Sequence, residues 1–265
     1  QVGHIRWHLQ RLSPPAAHPA PPKDRATSEA CSCAATPPLT VWLLHGTGAS
    51  THTWRDVAPL LAQHHEVIAV DLPGHGFTRG TVDQDLSLPG MAGALLALRE
   101  HLARTASNIE AAGTVGTVQG GRTEAWIGHS AGAAVALQVM AMDSAAAPHV
   151  ISLNGALLPW GGAASGLFMP LARALATLPL SVRFFAWSAR RPGTVEALLR
   201  DTGSVIDERG QELYRRLAHN EVHVRDVLKM MAQWELEPFA KMLPALEGRV
   251  TLVSSAHDGT VPPSV

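Results

Sequence analysis

The feature that most constrains this chain is a recurring unit of a short apolar run, a glycine-bearing loop and a stretch of helical periodicity. Thr40-Val41-Trp42-Leu43-Leu44 runs into His45-Gly46-Thr47-Gly48, and Glu66 to Val70 runs into Asp71-Leu72-Pro73-Gly74-His75-Gly76. Ala125-Trp126-Ile127-Gly128 leads into the small-residue segment Ala131 to Met142, and Val150–Leu153 and Val250–Ser254 are two more runs of the same kind. Apolar runs this short, without polar alternation, read as strands covered on both faces, and parallel strands need crossover helices between them. The sequence therefore predicts an α/β fold with a doubly wound, mostly parallel sheet. A helix is expected over Thr51–Ala62, capped by Ser50 or Thr51, with Trp54, Val57, Leu60 and Leu61 on its apolar face. Another is expected over Leu88–Ala103. Ile5, Trp7 and Leu9 alternate with Arg6, His8 and Gln10, which predicts a half-buried strand.

Three stretches interrupt the pattern. Residues 13–38 hold seven prolines and seven alanines, and proline's fixed φ and missing N–H exclude an interior strand or helix there. This stretch and the Gly/Thr-rich residues 105–123 read as surface insertions. Residues 157–246 replace strand alternation with helical periodicity, about Leu167–Thr177, Val195–Leu199, Gln211–Ala218 and Val222–Trp234. Between Leu157 and Ala189 the only charges are Arg173 and Arg183, so this segment is expected to cover something apolar. The resulting division is a core over 1–156, a helical cap over 157–246 and a second core segment over 247–265.

Charge and cysteine content narrow the function classes. Lys and Arg total 21 against 22 Asp and Glu, and charged residues make up only 16%. A general nucleic-acid binder needs clustered basic surface, so that class is excluded. No apolar run reaches the length of a membrane span. Cys31 and Cys33 are the only cysteines and lie in the Pro/Ala-rich stretch; they read as incidental thiols, with no metal site. The cysteine usage and the lack of a signal peptide favour a cytoplasmic setting.

The chemistry concentrates in Gly128-His129-Ser130-Ala131-Gly132, a G-x-S-x-G sequence between a strand and a helix. At such a junction the motif forms a tight elbow that lifts a serine hydroxyl above the sheet, and glycines at both ends permit close strand–helix approach. Ser130 is the candidate nucleophile. The backbone N–H of Ala131 and that of Thr47, in the loop after the preceding central strand, are the candidate oxyanion donors. Asp258, just past the Val250–Ser254 strand, is the candidate acid that orients a base. All 14 histidines lie at or before His257. Neither His257, adjacent to Asp258, nor His129, expected to point away from Ser130, suits the part of base. The expectation is that the strand and loop carrying the base lie beyond residue 265. His219 and His223, at helical spacing, are expected to face water rather than bind metal.

These residues resemble the α/β-hydrolase superfamily and, within it, the magnesium chelatase accessory proteins of bacteriochlorophyll biosynthesis. The resemblance runs through Ile5-Arg6-Trp7-His8, Leu44–His52, Asp71–Thr78 and Gly128–Ala133. Its more specific stretches are Leu86-Ser87-Leu88-Pro89-Gly90-Met91-Ala92 and Ser152-Leu153-Asn154-Gly155-Ala156-Leu157-Leu158-Pro159. Phe185-Ala186-Trp187, Thr202-Gly203-Ser204 and Met230–Trp234 continue it into the insert. It covers most of the chain outside residues 12–38 and 105–123. It implies an α/β-hydrolase fold with a helical cap, clipped at both ends here, and a role beside magnesium insertion into protoporphyrin IX.

Two readings of the site follow. In one, Ser130 is the nucleophile of a serine hydrolase acting on an apolar ester or similar acyl bond. In the other, the protein is a non-catalytic helper that binds a flat tetrapyrrole beneath the cap, with Trp160, Phe168, Trp187 and Trp234 as the aromatic lining. A carboxylesterase-like hydrolase unrelated to pigment synthesis is a further alternative. The resemblance implies magnesium chelatase subunits as partners and a place peripheral to the photosynthetic membrane. A buried cap accounts for the apolar Leu167–Leu180 segment better than membrane docking does. No cofactor is expected, since neither a metal cluster nor a nucleotide-binding loop is present.

Overall fold

A computed structural model describes residues 1–15, 39–111, 123–143, 149–159, 179–246, 249–256, 258 and 261. Among the described residues six strands form one sheet in the order β1-β3-β2-β4-β5-β6: β1 (Leu9–Leu12), β2 (Thr40–Leu44), β3 (Glu66–Val70), β4 (Glu124–His129), β5 (His149–Leu153) and β6 (Val250–Val253). Only β1 is antiparallel, pairing Leu9 with Val70; the others run parallel. The expected strands and their connections are thus present, and the mostly parallel sheet is the one the apolar runs call for.

Alternate residues of the central strands feed two cores. Trp42, Leu44, Ile68, Val70 and Trp126 pack on α2 (Leu88–Ala111) and α3 (Ala131–Met142). Val41, Leu43, Val67 and Ala69 pack on the other face against Trp54, Ala58 and Ala62. This is why β2 and β3 are buried along their whole length. Trp42 and Trp126, paired across β2 and β4, stack with ring centroids 4.8 Å apart and planes within 10°. Such a pair adds about 0.5–1.5 kcal/mol beyond its burial. Arg99 of α2 joins two elements at the opposite end, donating to Glu124 at 2.8 Å and to Asp143, past the end of α3, at 2.9 Å.

Several local expectations are corrected. The chain before β1 makes only isolated bridges, Val2 to Ile5 and Arg6 to Arg79, so the N-terminal strand lies four residues later than the Ile5–Leu9 alternation suggests. The single helix expected over Thr51–Ala62 is a 3-10 turn at Thr51–Trp54 and a one-turn α1 at Ala58–Leu61. Pro59 stands in the first turn of α1, where its missing N–H is tolerated. Val57 and Leu60 are exposed instead of facing the core. Ser50 makes no cap bond; its hydroxyl pairs with His52 Nδ1 at 2.7 Å. α2 continues to Ala111, into the stretch read as an insertion.

Between β5 and β6 the described residues form α4 (Pro179–Ser188), α5 (Thr194–Asp201), α6 (Glu208–Ala218), α7 (Glu221–Gln233) and α8 (Glu237–Met242). α5, α6 and α7 lie where the periodicity places them; α4 and α8 are additions to it. The Leu167–Thr177 helix and both cysteines fall outside the described residues. α6 and α7 begin at side-chain caps, Asp207 accepting from Gly210 N and Asn220 accepting from Val222 N and His223 N. α7 is strapped to the sheet domain. Met230 joins the main core, Gln233 accepts from Leu86 N at 2.8 Å, and Lys229 donates to the carbonyls of Val82 and Gln84 at 2.6 and 2.7 Å. Among the described residues no helix is long and apolar enough to cross a membrane.

Candidate active site

Parallel strands deliver their following loops to one edge of the sheet, which is where open α/β folds bind ligands. Leu44 of β2 is in register with Gly128 of β4, and His129 of β4 with Leu153 of β5, whose own partner is Val253 of β6. The loops carrying Thr47, Ser130, Asn154 and Asp258 therefore leave adjacent strands on the same edge.

Ser130 has φ 52 and ψ −119, a conformation that costs a non-glycine residue about 1–3 kcal/mol and persists only when its surroundings impose it. Those surroundings are visible. Ser130 N donates to Leu153 O at 3.1 Å, while Ser130 O accepts from Ala133 N at 3.1 Å and from Ala156 N at 3.2 Å. The flanking glycines are sterically required. A Cβ on Gly128 would lie 2.4 Å from the Ala133 backbone, and one on Gly132 would lie 2.3 Å from Leu44 O and 2.5 Å from His45 O. The first turn of α3 is thus pressed onto the end of β2. The same closeness brings the next loop to the serine, since a Cβ on Gly46 would lie 3.1 Å from Ser130 Cβ.

Ala131 is buried and Thr47 is exposed at the rim of this edge. The Ala131 amide opens a helix, where N–H groups have no intrahelical acceptor. Both N–H groups belong to backbone directly flanking the Gly46–Ser130 approach.

Asp258 accepts from Asn154 Nδ2 and, at 2.9 Å, from Val261 N. Asn154 is the second positive-φ non-glycine, at φ 46, and its carbonyl oxygen accepts from Ser255 N at 3.2 Å. It clamps the loop after β6 to the end of β5. The sequence reading did not assign Asn154 a part, although an Asn just past a strand end is a residue that tolerates left-handed backbone. His129 lies within electrostatic reach of Asp258; burial lowers its pKa and the carboxylate partly offsets this.

A second feature of the site is a cluster of buried histidines in edge-on and tilted contact. His45 and His75 have ring centroids 5.2 Å apart, and His75 and His223 are 5.5 Å apart. His45 Nδ1 donates to Gly46 O at 2.8 Å and its Nε2 accepts from Leu72 N at 3.0 Å. His223 Nε2 donates to Gly48 O and its Nδ1 accepts from Gly76 N, both at 3.2 Å. His75 Nδ1 donates to Pro73 O at 3.1 Å, leaving a buried Nε2 without a partner among the described residues. Each ring with an accepting nitrogen is held neutral. Burial pushes His45 well below the ordinary histidine range, His75 down to about 4 and His223 down to about 3. His52, beneath Tyr214, is pushed down to about 4, again by burial.

His223 corrects the expectation of two water-facing histidines. His219 is exposed, but His223 is buried and sits seven residues before Met230, on the same helical face. That spacing was the available signal. These buried histidines are committed to backbone groups, and none of the bonds described for them reaches the Ser130 hydroxyl.

Asp71 fixes the floor of the site. Its fully buried carboxylate accepts from Thr51 N at 2.7 Å and from Phe77 N and His8 Nδ1, each at 2.8 Å. It joins the loop after β2 to the loop after β3. Of the proposed aromatic lining, Trp160 and Phe168 lie outside the described residues. Trp234 packs partly buried against the main core at the end of α7. Trp187 is half exposed on α4, with the Arg191 guanidinium 4.5 Å above its ring. Among the described residues no group of three or more His, Cys, Asp or Glu side chains could hold a metal ion.

The sequence model of the Alpha/beta hydrolase family matches residues 43–265. The Magnesium-chelatase 30 kDa subunit of Rhodobacter capsulatus is 40% identical over 226 residues, covering 84% of this chain and 72% of that protein. Among solved structures, an alpha/beta hydrolase fold protein from Burkholderia ambifaria superposes with a TM-score of 0.63 at 19% identity, over 98% of this chain and 80% of that one. An esterase from Exiguobacterium antarcticum superposes with a TM-score of 0.63 at 13% identity, over 98% of this chain and 81% of that one. At these identities the structural likenesses speak to the fold.

Proposed function

The chain belongs to the alpha/beta hydrolase family, and on that premise we propose that it assists magnesium insertion into protoporphyrin IX in (bacterio)chlorophyll biosynthesis, with a serine nucleophile at Ser130 that acts on an apolar substrate. The observation that carries the pathway is the 40% identity to a magnesium-chelatase subunit. In this reading residues 157–246 are a cap over the carboxyl edge of the sheet. Trp160, Phe168 and Trp234 suit a flat apolar ligand beneath it. Magnesium chelatase subunits are the partners, and the protein works in the cytoplasm at the periphery of the photosynthetic membrane.

In the catalytic form of this proposal Ser130 Oγ attacks an acyl carbon as a histidine base takes its proton; the proton passes to the departing group as its bond to the acyl carbon breaks, and water then releases the acyl group and restores the serine. The Thr47 and Ala131 amides take up the charge that develops on the carbonyl oxygen, and Asp258 orients and charge-stabilises a histidine base. The strained elbow supports it, because such backbone is retained where a side chain must be presented. A non-catalytic reading keeps the same fold and edge without the acyl chemistry. In that version the same edge only binds the tetrapyrrole.

One assay addresses both. Formation of magnesium protoporphyrin is measured with the organism's own chelatase, with and without this protein. The proposal expects the protein to raise the rate, and no change with the wild-type protein overturns it. Ser130→Ala then separates the versions: loss of stimulation supports catalysis, and full stimulation supports binding alone.

A further inference from the structure

The unusual surface of this molecule is α4. The helix packs on α7 and buries Ser181 and Ala186, while Phe184, Phe185 and Trp187 project from it at 59%, 38% and 51% exposure. The three rings form one cluster, with Phe184 6.0 Å from Phe185 and 6.1 Å from Trp187. Three aromatic side chains clustered within four residues and left without a cover among the described residues are rare on a monomer and mark a contact surface. The charges carried by α4 and the turn after it are all of one sign. Arg183, Arg190 and Arg191 are exposed beside them, Arg191 lying over the Trp187 ring. Between Asp143 and Glu196 the sequence contains no Asp, Glu or Lys, and Arg173 is its one further charge.

We propose that α4 is the face by which the protein docks on an anionic lipid bilayer. Phe184, Phe185 and Trp187 enter the headgroup region, and Arg183, Arg190 and Arg191 meet the lipid phosphates. Aromatic rings with one apolar face and adjacent guanidinium groups are the composition of an interfacial anchor. The arginines of α4 and its following turn favour an anionic surface over a basic one. The proposal rests on the peripheral-membrane clause of the functional reading and not on the serine site. It places Trp187 on the outer face of α4, toward lipid, instead of on the substrate.

The test is flotation of the intact protein with phosphatidylcholine vesicles, with and without phosphatidylglycerol. Wild type should float with the anionic vesicles, less so as salt rises, and weakly with phosphatidylcholine alone. Phe184→Ser combined with Trp187→Ser should reduce partitioning at least about tenfold. Each of Arg183→Gln, Arg190→Gln and Arg191→Gln should reduce it about fivefold. The replaced side chains are exposed, so circular dichroism and the melting temperature should stay near wild type. The arginine variants keep the test alive if the aromatic one misfolds. Absence of wild-type flotation overturns the proposal, as does flotation that neither set of variants weakens. If the variants float normally but no longer co-purify with chelatase subunits, α4 belongs to a protein partner and the proposal is wrong. The vesicles hold no chelatase and no tetrapyrrole, so a failure here overturns membrane docking and leaves the chelatase and serine-site reading untouched. Ser130→Ala should float as wild type does.

Discussion

His223, on the first turn of α7, donates through Nε2 to the carbonyl oxygen of Gly48 at 3.2 Å, tying the helical region to the loop that approaches Ser130. The same ring accepts from Gly76 N at 3.2 Å, so one side chain spans three segments. His223→Phe removes both bonds and leaves two buried backbone groups unpaired, at about 2–4 kcal/mol. The melting temperature should fall by roughly 5–10 °C. His223→Gln, which can both donate and accept, should recover part of the loss. Equal stability of wild type and His223→Phe in a thermal melt would show that the ring is not a structural tie.

The two glycines of the elbow should be intolerant for different neighbours but the same reason. A methyl at Gly132 meets the backbone oxygens of Leu44 and His45, and a methyl at Gly128 meets the backbone of Ala133; neither neighbour can swing away. Gly132→Ala and Gly128→Ala should each cost more than about 3 kcal/mol and sharply reduce soluble yield. Gly93, inside α2, is the contrast. Its nearest neighbour would be Met142 Cε at 3.8 Å, so Gly93→Ala should stabilise by up to about 1 kcal/mol. Denaturant midpoints of the three variants decide the matter.

The buried histidines set the acid response. His45, His52, His75, His129 and His223 all have folded-state pKa values lowered, first of all by burial. The native protein keeps them neutral, while the unfolded chain protonates them below its ordinary value near 6.5. The unfolded state then binds more protons, so stability falls as pH drops through 6.5 and keeps falling toward the folded values of about 4 for His52 and His75 and about 3 for His223. Each such group contributes a slope of about 1.4 kcal/mol per pH unit. Denaturant midpoints between pH 7.5 and 5 should therefore drop steeply, and His223→Phe should make the drop shallower. A flat profile across that range contradicts the assigned burial.

The elements differ in how legible they are. β2 and β3 carry unbroken apolar runs because both faces are covered, and α3 follows a G-x-S-x-G junction; each was readable to the residue. The Thr51–Ala62 segment was not, because Pro59 splits it and because Ser50 spends its hydroxyl on His52 instead of a cap. The loops bearing Thr47, Ser130 and Asp258 could be placed along the chain, but their shared edge is a consequence of strand order, which no local pattern contains. The histidine cluster joins residues from the loop after β2, the loop after β3 and α7, so only the tertiary fold brings it together. Trp187 is the converse case. An aromatic in an apolar segment suggested an interior ligand site, whereas on α4 it faces outward beside Arg191.

Asn154 offers a check on the loop after β6. Its side chain bonds both Asp258 and Ser255 N, and its own backbone is left-handed. Asn154→Ala loses both bonds and keeps an unfavourable φ, so it should cost about 2–3 kcal/mol. Asn154→Gly relieves the backbone and should cost less. The reverse order in thermal melts would mean that the side-chain clamp is not what holds Asp258.

The central claim is that the elbow presents Ser130 as a nucleophile opposite the Thr47 and Ala131 amides. Its most direct measurement is covalent labelling of the complete protein by a serine-directed fluorophosphonate, read by intact mass and by the modified peptide. One adduct is expected, on Ser130, and it disappears in Ser130→Ala. Equal labelling of wild type and Ser130→Ala, or no labelling of the folded wild type, contradicts it.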